Sequence, residues 1–225
     1  MPYYPVFLDL KGKKCVVVGG GRVARRKVAS LMGAGAEVAV IAPEITPSLS
    51  REKDKGKITH IPRAYRRGDL KGAFLAISAT DSEEENMKVA REARHLNIPV
   101  NVVDRPALCS FIVPSTVKRG PLVIAVSTSG ASPAMSRAIR LELERLYGKR
   151  FGTYLERLAA LREKALKELP PEARRRLFKK LASSDIIQTI REGGGVPAAK
   201  KASVSPGKTA RKGKAPIKSR KAGKS

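Results

Sequence analysis

The feature that most constrains the fold of this chain is a three-glycine turn, Gly19–Gly21, between a β-branched run and a helical pattern. The run before the turn is Lys14–Val18, and Val23–Met32 after it carries apolar side chains at helical spacing. Glycine lets a chain reverse tightly between such elements. The sequence therefore predicts a strand, a tight turn and a helix in direct succession.

Strands and helices continue to alternate after this turn. The predicted elements are, in order, a strand at Glu37–Ile41, a strand at Ala73–Ile77, an amphipathic helix from about Ser82 to Leu96, and a strand at Pro99–Val103. Strands joined through helices pair in parallel. We therefore predict an α/β fold with a Rossmann-like, doubly wound parallel sheet and helices on both faces.

A central α+β segment follows the predicted sheet. Phe111–Val113 and Leu122–Val126 are apolar runs whose connection, Pro114–Pro121, is too short for a crossover helix, so we predict an antiparallel hairpin. Ser132 is the predicted N-cap, and Pro133 the first residue, of the helix that follows.

The rest of the chain is helical and then low in complexity. Residues 151–193 predict two or three polar helices broken at Pro170-Pro171. We expect four parts: a dinucleotide-binding domain at 1–113, the central segment at 114–147, a small C-terminal helical domain at 148–193 and a disordered basic tail at 194–225.

Positive charge is concentrated in the tail but not confined to it. Residues 196–225 contain ten Lys or Arg and no acid, which leaves 36 basic and 20 acidic residues, a net charge of +16, in the other 195. Few aromatic residues lie outside apolar segments, which argues against a surface that stacks nucleic-acid bases. The basic excess instead favours an anionic small molecule, with nucleic acid expected only through the tail.

Cysteine usage and targeting signals favour the cytoplasm. Cys15 and Cys109 adjoin apolar runs and are predicted to be buried thiols in a reducing compartment. No signal peptide and no apolar stretch of about 20 residues is present, so no membrane partner is expected. His60 and His95 lack ligand-spaced neighbours, and no fixed zinc or iron site is expected.

The glycine turn matches the dinucleotide fingerprint Gly19-x-Gly21-x-x-Ala24. The first glycine makes the turn, the second admits the pyrophosphate and the small third residue packs the helix on the strand. Because the motif lies between a strand and a helix, we predict a bound dinucleotide at Gly19, Gly20, Gly21, Arg22, Val23 and Ala24.

Residues after the second strand favour NAD. Glu44, which follows Pro43, is the candidate acceptor for the adenosine ribose hydroxyl, although it lies slightly late. Its carboxylate would repel the extra phosphate of NADP. Arg22, Arg25 and Arg26 could attract that phosphate, so NADP stays an alternative.

Asp104 follows a predicted parallel strand, at the end where ligands bind in such sheets. A carboxylate there suits a general base, because hydride transfer is accompanied by removal of a proton. The alternative is an ordinary turn residue with Arg105 as its local partner.

Hydroxyl and basic side chains cluster in the central segment. The loop Ser127–Pro133 leads into a helix N-terminus, which attracts carboxylates or phosphates. Capping explains Ser132 alone. We predict contacts to substrate carboxylates at Ser115, Lys118, Arg119, Thr128, Ser129 and Ser132.

Taken in order, these motifs resemble the precorrin-2 dehydrogenase and sirohydrochlorin ferrochelatase family, which includes the N-terminal half of siroheme synthases. The matching segments are Tyr4–Leu8, Val17–Ala24 with Arg26-Lys27, Ala79–Asp81, Asn101–Asp104, Ser110–Ile112 with Pro114-Ser115, and Ser127, Gly130, Ser132 and Pro133.

The resemblance implies NAD-dependent oxidation of precorrin-2 to sirohydrochlorin and, in some members, insertion of ferrous iron to give siroheme. It implies that Asp104 is the catalytic aspartate, that Thr80 and Asp81 join the cofactor site, and that a homodimer forms through about 114–145. The eight carboxylates of the substrate would account for the basic folded part.

Departures and alternatives accompany this resemblance. Thr128 aligns with a serine that can be phosphorylated in fused members, so that regulation is not expected, and a methyltransferase domain after residue 193 is not expected either. One alternative is a dehydrogenase that depends on a separate chelatase. Another is a dinucleotide-sensing, nucleic-acid-binding protein that uses the basic tail.

Overall fold

The β-branched run before the glycine turn forms the centre of a parallel sheet. The computed structural model describes residues 3–192. Its sheet has the order β3-β2-β1-β4-β5 and all of its pairs are parallel. The five strands are β1 (Lys14–Val18), β2 (Glu37–Ile41), β3 (Ile58–Ile61), β4 (Leu75–Ser78) and β5 (Val100–Val102).

Helices cover both faces of this sheet. They are α1 (Arg22–Met32), α2 (Pro47–Asp54) and α3 (Glu83–His95). Val28 of α1 and Leu49 of α2 pack with Val17 on one face, while Val89 of α3 packs with Val16 on the other. Both faces of β1 are therefore buried, which explains the unbroken apolar run from Cys15 to Val18. The predicted Rossmann-like fold is confirmed.

Sequence reasoning missed α2 and β3. Leu49 is the buried residue of α2, and Ile58 is the buried residue of β3, so neither element shows a clear apolar period. β4 also begins at Leu75, later than predicted, because Ala73 closes a turn onto Leu70 with a 3.0 Å backbone hydrogen bond.

The predicted strand Phe111–Val113 is wrong. The hairpin instead consists of β6 (Ser115–Arg119) and β7 (Leu122–Val126). Phe111 packs against the core on the α1 face, and its carbonyl oxygen accepts a hydrogen bond from Asn101 Nδ2 at 3.1 Å. The run is apolar because it packs on the core, not because it pairs with a strand.

The helices after the hairpin are α4 (Pro133–Leu146), α5 (Lys149–Glu168), α6 (Pro171–Leu181) and α7 (Ser184–Arg191). Ser132 Oγ accepts a hydrogen bond from the Met135 amide at 3.1 Å, as predicted for an N-cap. The described part of the chain contains no helix long and apolar enough to cross a membrane.

The chain forms two units. Within the described range, one comprises residues 3–118 and Val123–Arg145, and the other comprises Arg119–Leu122 and residues 146–192. The second unit has its own small core around Phe151. The four-part division stays a prediction, and the expected disorder at 194–225 concerns residues outside the described range.

Candidate active site

The glycine turn is packed tightly on two sides and open on the third. Gly19 has a φ of 114°, and a Cβ there would lie 2.3 Å from the Ala79 carbonyl oxygen. A Cβ on Gly20 would lie 1.8 Å from the Glu44 carbonyl oxygen, whereas one on Gly21 would meet nothing within 4 Å. The first two glycines are therefore required by the protein's own packing, and the third faces open space.

The N-terminus of α1 adjoins this open space. Its N-cap, Gly21, has no capping side chain, and its first turn contains no acidic residue. Arg22 is exposed, Val23 is half-buried and Ala24 is buried in the core. Unpaired helix amides and the positive end of the helix dipole favour a phosphate here. The residues present fit the pyrophosphate of a dinucleotide.

The loops after β2 and β4 flank the glycine turn. On the β2 side, Pro43 and Glu44 are exposed, and the Glu44 carbonyl lies against Gly20. On the β4 side, Thr80 is half-buried and Asp81 is exposed. The predicted cofactor residues thus meet at the carboxyl edge of three adjacent strands.

A buried polar pair fixes the β4 loop. Ser78 Oγ donates to Asn86 Oδ1 at 2.7 Å, and Asn86 Nδ2 donates to the Thr80 carbonyl at 3.1 Å. Sequence reasoning missed both side chains. The signal was present, because Asn86 precedes the buried Val89 and Ala90 by three and four positions and so faces the core.

Asp104 follows β5 at the same edge. Its φ is 57°, a left-handed conformation that aspartate tolerates better than most residues, and its side chain is exposed. Arg105 does not pair with it, since the Arg105 guanidinium lies 3.4 Å from Glu83. Over the described range no ion pair within 4.0 Å engages Asp104, so its carboxylate is available to a ligand.

Cys109 closes the loop that carries Asp104. Its Sγ accepts a hydrogen bond from the Val102 amide at 3.2 Å and can donate to the carbonyl of Val102 at 3.2 Å or of Arg105 at 3.3 Å. Cys109 packs against the core as predicted, but it is only partly buried and its thiol also forms hydrogen bonds with the backbone. Cys15 is buried as predicted, and burial raises the pKa of its thiol.

Lys27 brings a cation from α1 to the Asp104 loop. Burial and the neighbouring Arg26 lower the pKa of Lys27, while Asp104 and Cys109 act in the opposite direction. The helix that begins at the glycine turn therefore also carries an ammonium within electrostatic reach of Asp104. Sequence reasoning gave Lys27 no role, although its position next to buried Val28 marked it as partly inward-facing.

The predicted substrate residues in the hairpin fall in different surroundings. Ser115 is half-buried at the start of β6, and Lys118 Nζ donates to the Gly33 carbonyl at 3.2 Å. Arg119 belongs to the second unit. The structure does not gather these three side chains at one point within the first unit.

The hydroxyl-rich loop is ordered by its own side chains. Thr128 Oγ1 accepts from the Ser132 amide at 3.0 Å, while Ser132 Oγ caps α4. Ser129 is exposed with a φ of 53°. Thr128 and Ser132 thus have structural roles in this loop, and Ser129 presents its side chain outward.

No cluster of three or more His, Cys, Asp or Glu side chains in the described part of the chain could hold a metal ion.

Two family models match consecutive parts of the chain. An NAD(P)-binding family matches residues 6–115, and the sirohaem biosynthesis protein central family matches residues 119–146. The first match contains the glycine turn and Asp104, and the second contains most of the hairpin and α4.

Curated relatives and a solved structure agree with these matches. The chain is 43% identical to a siroheme synthase of Methylobacillus flagellatus, over 79% of this chain and 38% of the relative, and 39% identical to that of Thioalkalivibrio sulfidiphilus, over 86% and 40%. It thus spans about two fifths of these relatives. The structure of SirC, a precorrin-2 dehydrogenase, superposes with a TM-score of 0.72 at 26% identity, over 84% of this chain and 96% of SirC.

Proposed function

The chain belongs to the precorrin-2 dehydrogenase and siroheme synthase family, and from this premise we propose that it oxidises precorrin-2 to sirohydrochlorin with NAD. One observation carries the proposal: α1 begins at the open glycine turn and carries Lys27 to the electrostatic neighbourhood of Asp104. A phosphate-binding turn and an available carboxylate therefore belong to one edge of the sheet.

NAD, when bound, supplies the hydride acceptor. The open space at Gly21 and the uncapped start of α1 would hold its pyrophosphate, and Glu44 would accept from the adenosine ribose. The carboxylate of Glu44, which would repel the additional phosphate of NADP, favours NAD over NADP.

Asp104 would take the proton. Oxidation removes a hydride and a proton from precorrin-2, and the exposed carboxylate of Asp104 accepts that proton as the hydride leaves. The Asp104 carboxylate attracts the Lys27 ammonium, which raises the pKa of Lys27 against the larger lowering caused by burial. The six predicted substrate residues, Ser115, Lys118, Arg119, Thr128, Ser129 and Ser132, remain the candidates for contacts with the substrate carboxylates.

The decisive experiment is anaerobic incubation of the full chain with precorrin-2 and NAD. We expect one NADH for each sirohydrochlorin, with both followed spectroscopically. Formation of NADH without sirohydrochlorin, or no reaction with either NAD or NADP, would contradict the proposal.

The family resemblance also implies, for some members, a second reaction, the insertion of ferrous iron into sirohydrochlorin. Metallation would require removal of two pyrrole protons as the metal enters, and Asp104 could accept them in turn. Ferrous iron added to the anaerobic product tests this step. A siroheme spectrum that forms no faster than without protein would leave a dehydrogenase that depends on a separate chelatase.

We also propose a cytoplasmic homodimer. Both cysteines are free thiols, which suits a reducing compartment. In α4 the buried residue is Ser136, whereas Met135 and Ile139, which are four positions apart and so share one side of the helix, are 54% and 36% exposed. An amphipathic helix with an uncovered apolar side indicates a protein interface, and a second copy of the chain is the partner that the family resemblance favours.

A further inference from the structure

The connection between β3 and β4 contains no helix. Because β3 lies at one edge of the sheet and β4 lies beyond β1, residues 62–74 must cross two strands. They do so as an irregular segment that buries Tyr65 and Leu70 beside Val89 of α3. In the described part of the chain, α3 is therefore the helix that covers this face, and an irregular segment occupies the space of a second one.

Four hydrogen bonds, all buried or partly buried, tie the irregular segment to α3. The Tyr65 hydroxyl donates to Glu92, and the Gly68 amide donates to both carboxylate oxygens of Glu92 at 2.9 and 3.0 Å. The Tyr65 amide donates to Glu85 Oε1 at 2.9 Å. The α3 carboxylates that face this segment are thus already engaged by it.

A cationic groove of about 660 Å³ remains between the segment and α3. Arg66, Arg67, Lys88, Arg91 and His95 line it together with the Tyr65–Glu92 pair. Lys88 is paired with Glu84 at 2.7 Å. Within residues 3–192, no carboxylate lies within 4.0 Å of the Arg67 or Arg91 guanidinium.

We propose that this groove binds a small polyanion, a molecule with two or more clustered phosphate or carboxylate groups. The two guanidinium groups of Arg67 and Arg91 line one cavity without a carboxylate partner within 4.0 Å, so a polyanion could neutralise both at once. Guanidinium groups bind phosphate and carboxylate through paired hydrogen bonds, and the volume is typical of small-molecule sites.

The groove is separate from the dinucleotide turn. α1, which begins at that turn, packs on one face of the sheet, whereas α3 and Tyr65 pack on the opposite face. The proposal therefore does not rest on the oxidation of precorrin-2. Formation of NADH should be unchanged when the groove is altered.

Calorimetric titration of the full chain tests the groove, with pyrophosphate as the phosphate probe and citrate as the carboxylate probe, at constant ionic strength. The background is the Gly21→Asp variant, in which the dinucleotide turn is blocked. We expect saturable binding of at least one probe, weakened about tenfold or more by Arg67→Gln with Arg91→Gln, since charge-assisted hydrogen bonds are lost.

The matched control is Arg175→Gln with Arg176→Gln, which removes the same charge from exposed positions on α6. Binding of pyrophosphate alone identifies a phosphate ligand, and binding of citrate alone a carboxylate ligand. The proposal is wrong if neither probe binds, or if the control pair weakens binding as much as the groove pair does.

Discussion

The amide of Val102 donates a hydrogen bond to the thiol of Cys109 across the loop that carries Asp104, with a nitrogen–sulfur distance of 3.2 Å. This contact joins the last residue of β5 to the far end of the loop. Asp104 lies between them in a left-handed conformation, which costs free energy and needs support from its surroundings. Cys109 is therefore a positioning residue for the catalytic candidate.

Replacement of Cys109 tests this role. In Cys109→Ala we expect kcat to fall about three- to tenfold, the factor that the net free energy of one hydrogen bond corresponds to. Cys109→Ser, which keeps a donor and an acceptor, should recover most of the loss. Steady-state kinetics with NAD affinity measured in parallel provide the check. Equal kcat in the alanine and serine variants would show that the thiol only fills space.

Asp104→Asn separates proton chemistry from conformation. Asparagine also tolerates a positive φ, so the fold and NAD affinity should be retained. Turnover of precorrin-2 should fall about 10²- to 10⁴-fold, as for a lost general base. Asp54→Asn, at an exposed position, is the control. If turnover of precorrin-2 falls only a few-fold, Asp104 is an ordinary turn residue. If only the insertion of iron is lost, Asp104 acts in that step and not in the oxidation.

Gly21→Asp tests the dinucleotide turn. A Cβ fits at Gly21 without a clash, so the variant should fold, but its carboxylate would repel the pyrophosphate. NAD affinity should fall about 100-fold or more, because like charges in contact repel strongly. Gly148→Asp is a matched control, since Gly148 is also an extended helix N-cap with open space around it. Fluorescence titration with NADH measures both, and unchanged affinity in Gly21→Asp refutes the site.

Lys27→Met tests the link between α1 and Asp104. Burial lowers the pKa of Lys27, so the ammonium that attracts the Asp104 carboxylate is present below this lowered pKa and is lost as pH rises through it. We expect kcat/KM of the wild type to fall on the alkaline side as this charge is lost. Lys27→Met lacks the charge at every pH, so it should have a lower kcat/KM at neutral pH and no such alkaline limb. Lys57→Met, the control, should keep the limb, and an alkaline limb that persists in Lys27→Met would exclude the role of Lys27.

Ile139→Asp tests the proposed dimer. Ile139 is exposed on α4, so the monomer should tolerate the change, while a charge in an apolar interface should dissociate the dimer. Analytical ultracentrifugation of the wild type and variant gives the mass directly. Ile187→Asp on α7, which has similar exposure, should leave the mass unchanged. A wild type that sediments as a monomer would contradict the interface.

The strand–turn–helix unit could be predicted because its residues obey local rules. β1 is apolar from Cys15 to Val18, Gly19 and Gly20 occupy positions where a side chain would clash, and Ala24 is buried where a small residue is needed. The Ser132 cap followed from the same kind of local chemistry. Elements whose sequence is determined by their own local geometry could therefore be predicted.

The features that sequence reasoning missed depend on contacts between residues that lie far apart in the sequence. The sequence around Phe111 predicts a strand, but the carbonyl oxygen of Phe111 accepts a hydrogen bond from the Asn101 side chain instead. The sequence predicts that Cys109 is a core residue, but its thiol also forms hydrogen bonds with backbone groups of the Asp104 loop. The cationic groove exists because residues 62–74 fold back along α3, which no local pattern indicates.

The strand order also determines at which stage of folding the cofactor site can form. Cys15 pairs with Leu75, so the chain must close a loop of about 60 residues before β1 and β4 meet, and such closures are slow steps in folding. The turn at Gly19 reaches its final shape only against Ala79. During synthesis, the dinucleotide site therefore cannot be complete until Ala79 has emerged from the ribosome. A cofactor that binds only the completed site stabilises the pairing of β1 with β4, the longest-range pairing in the sheet, by its binding free energy.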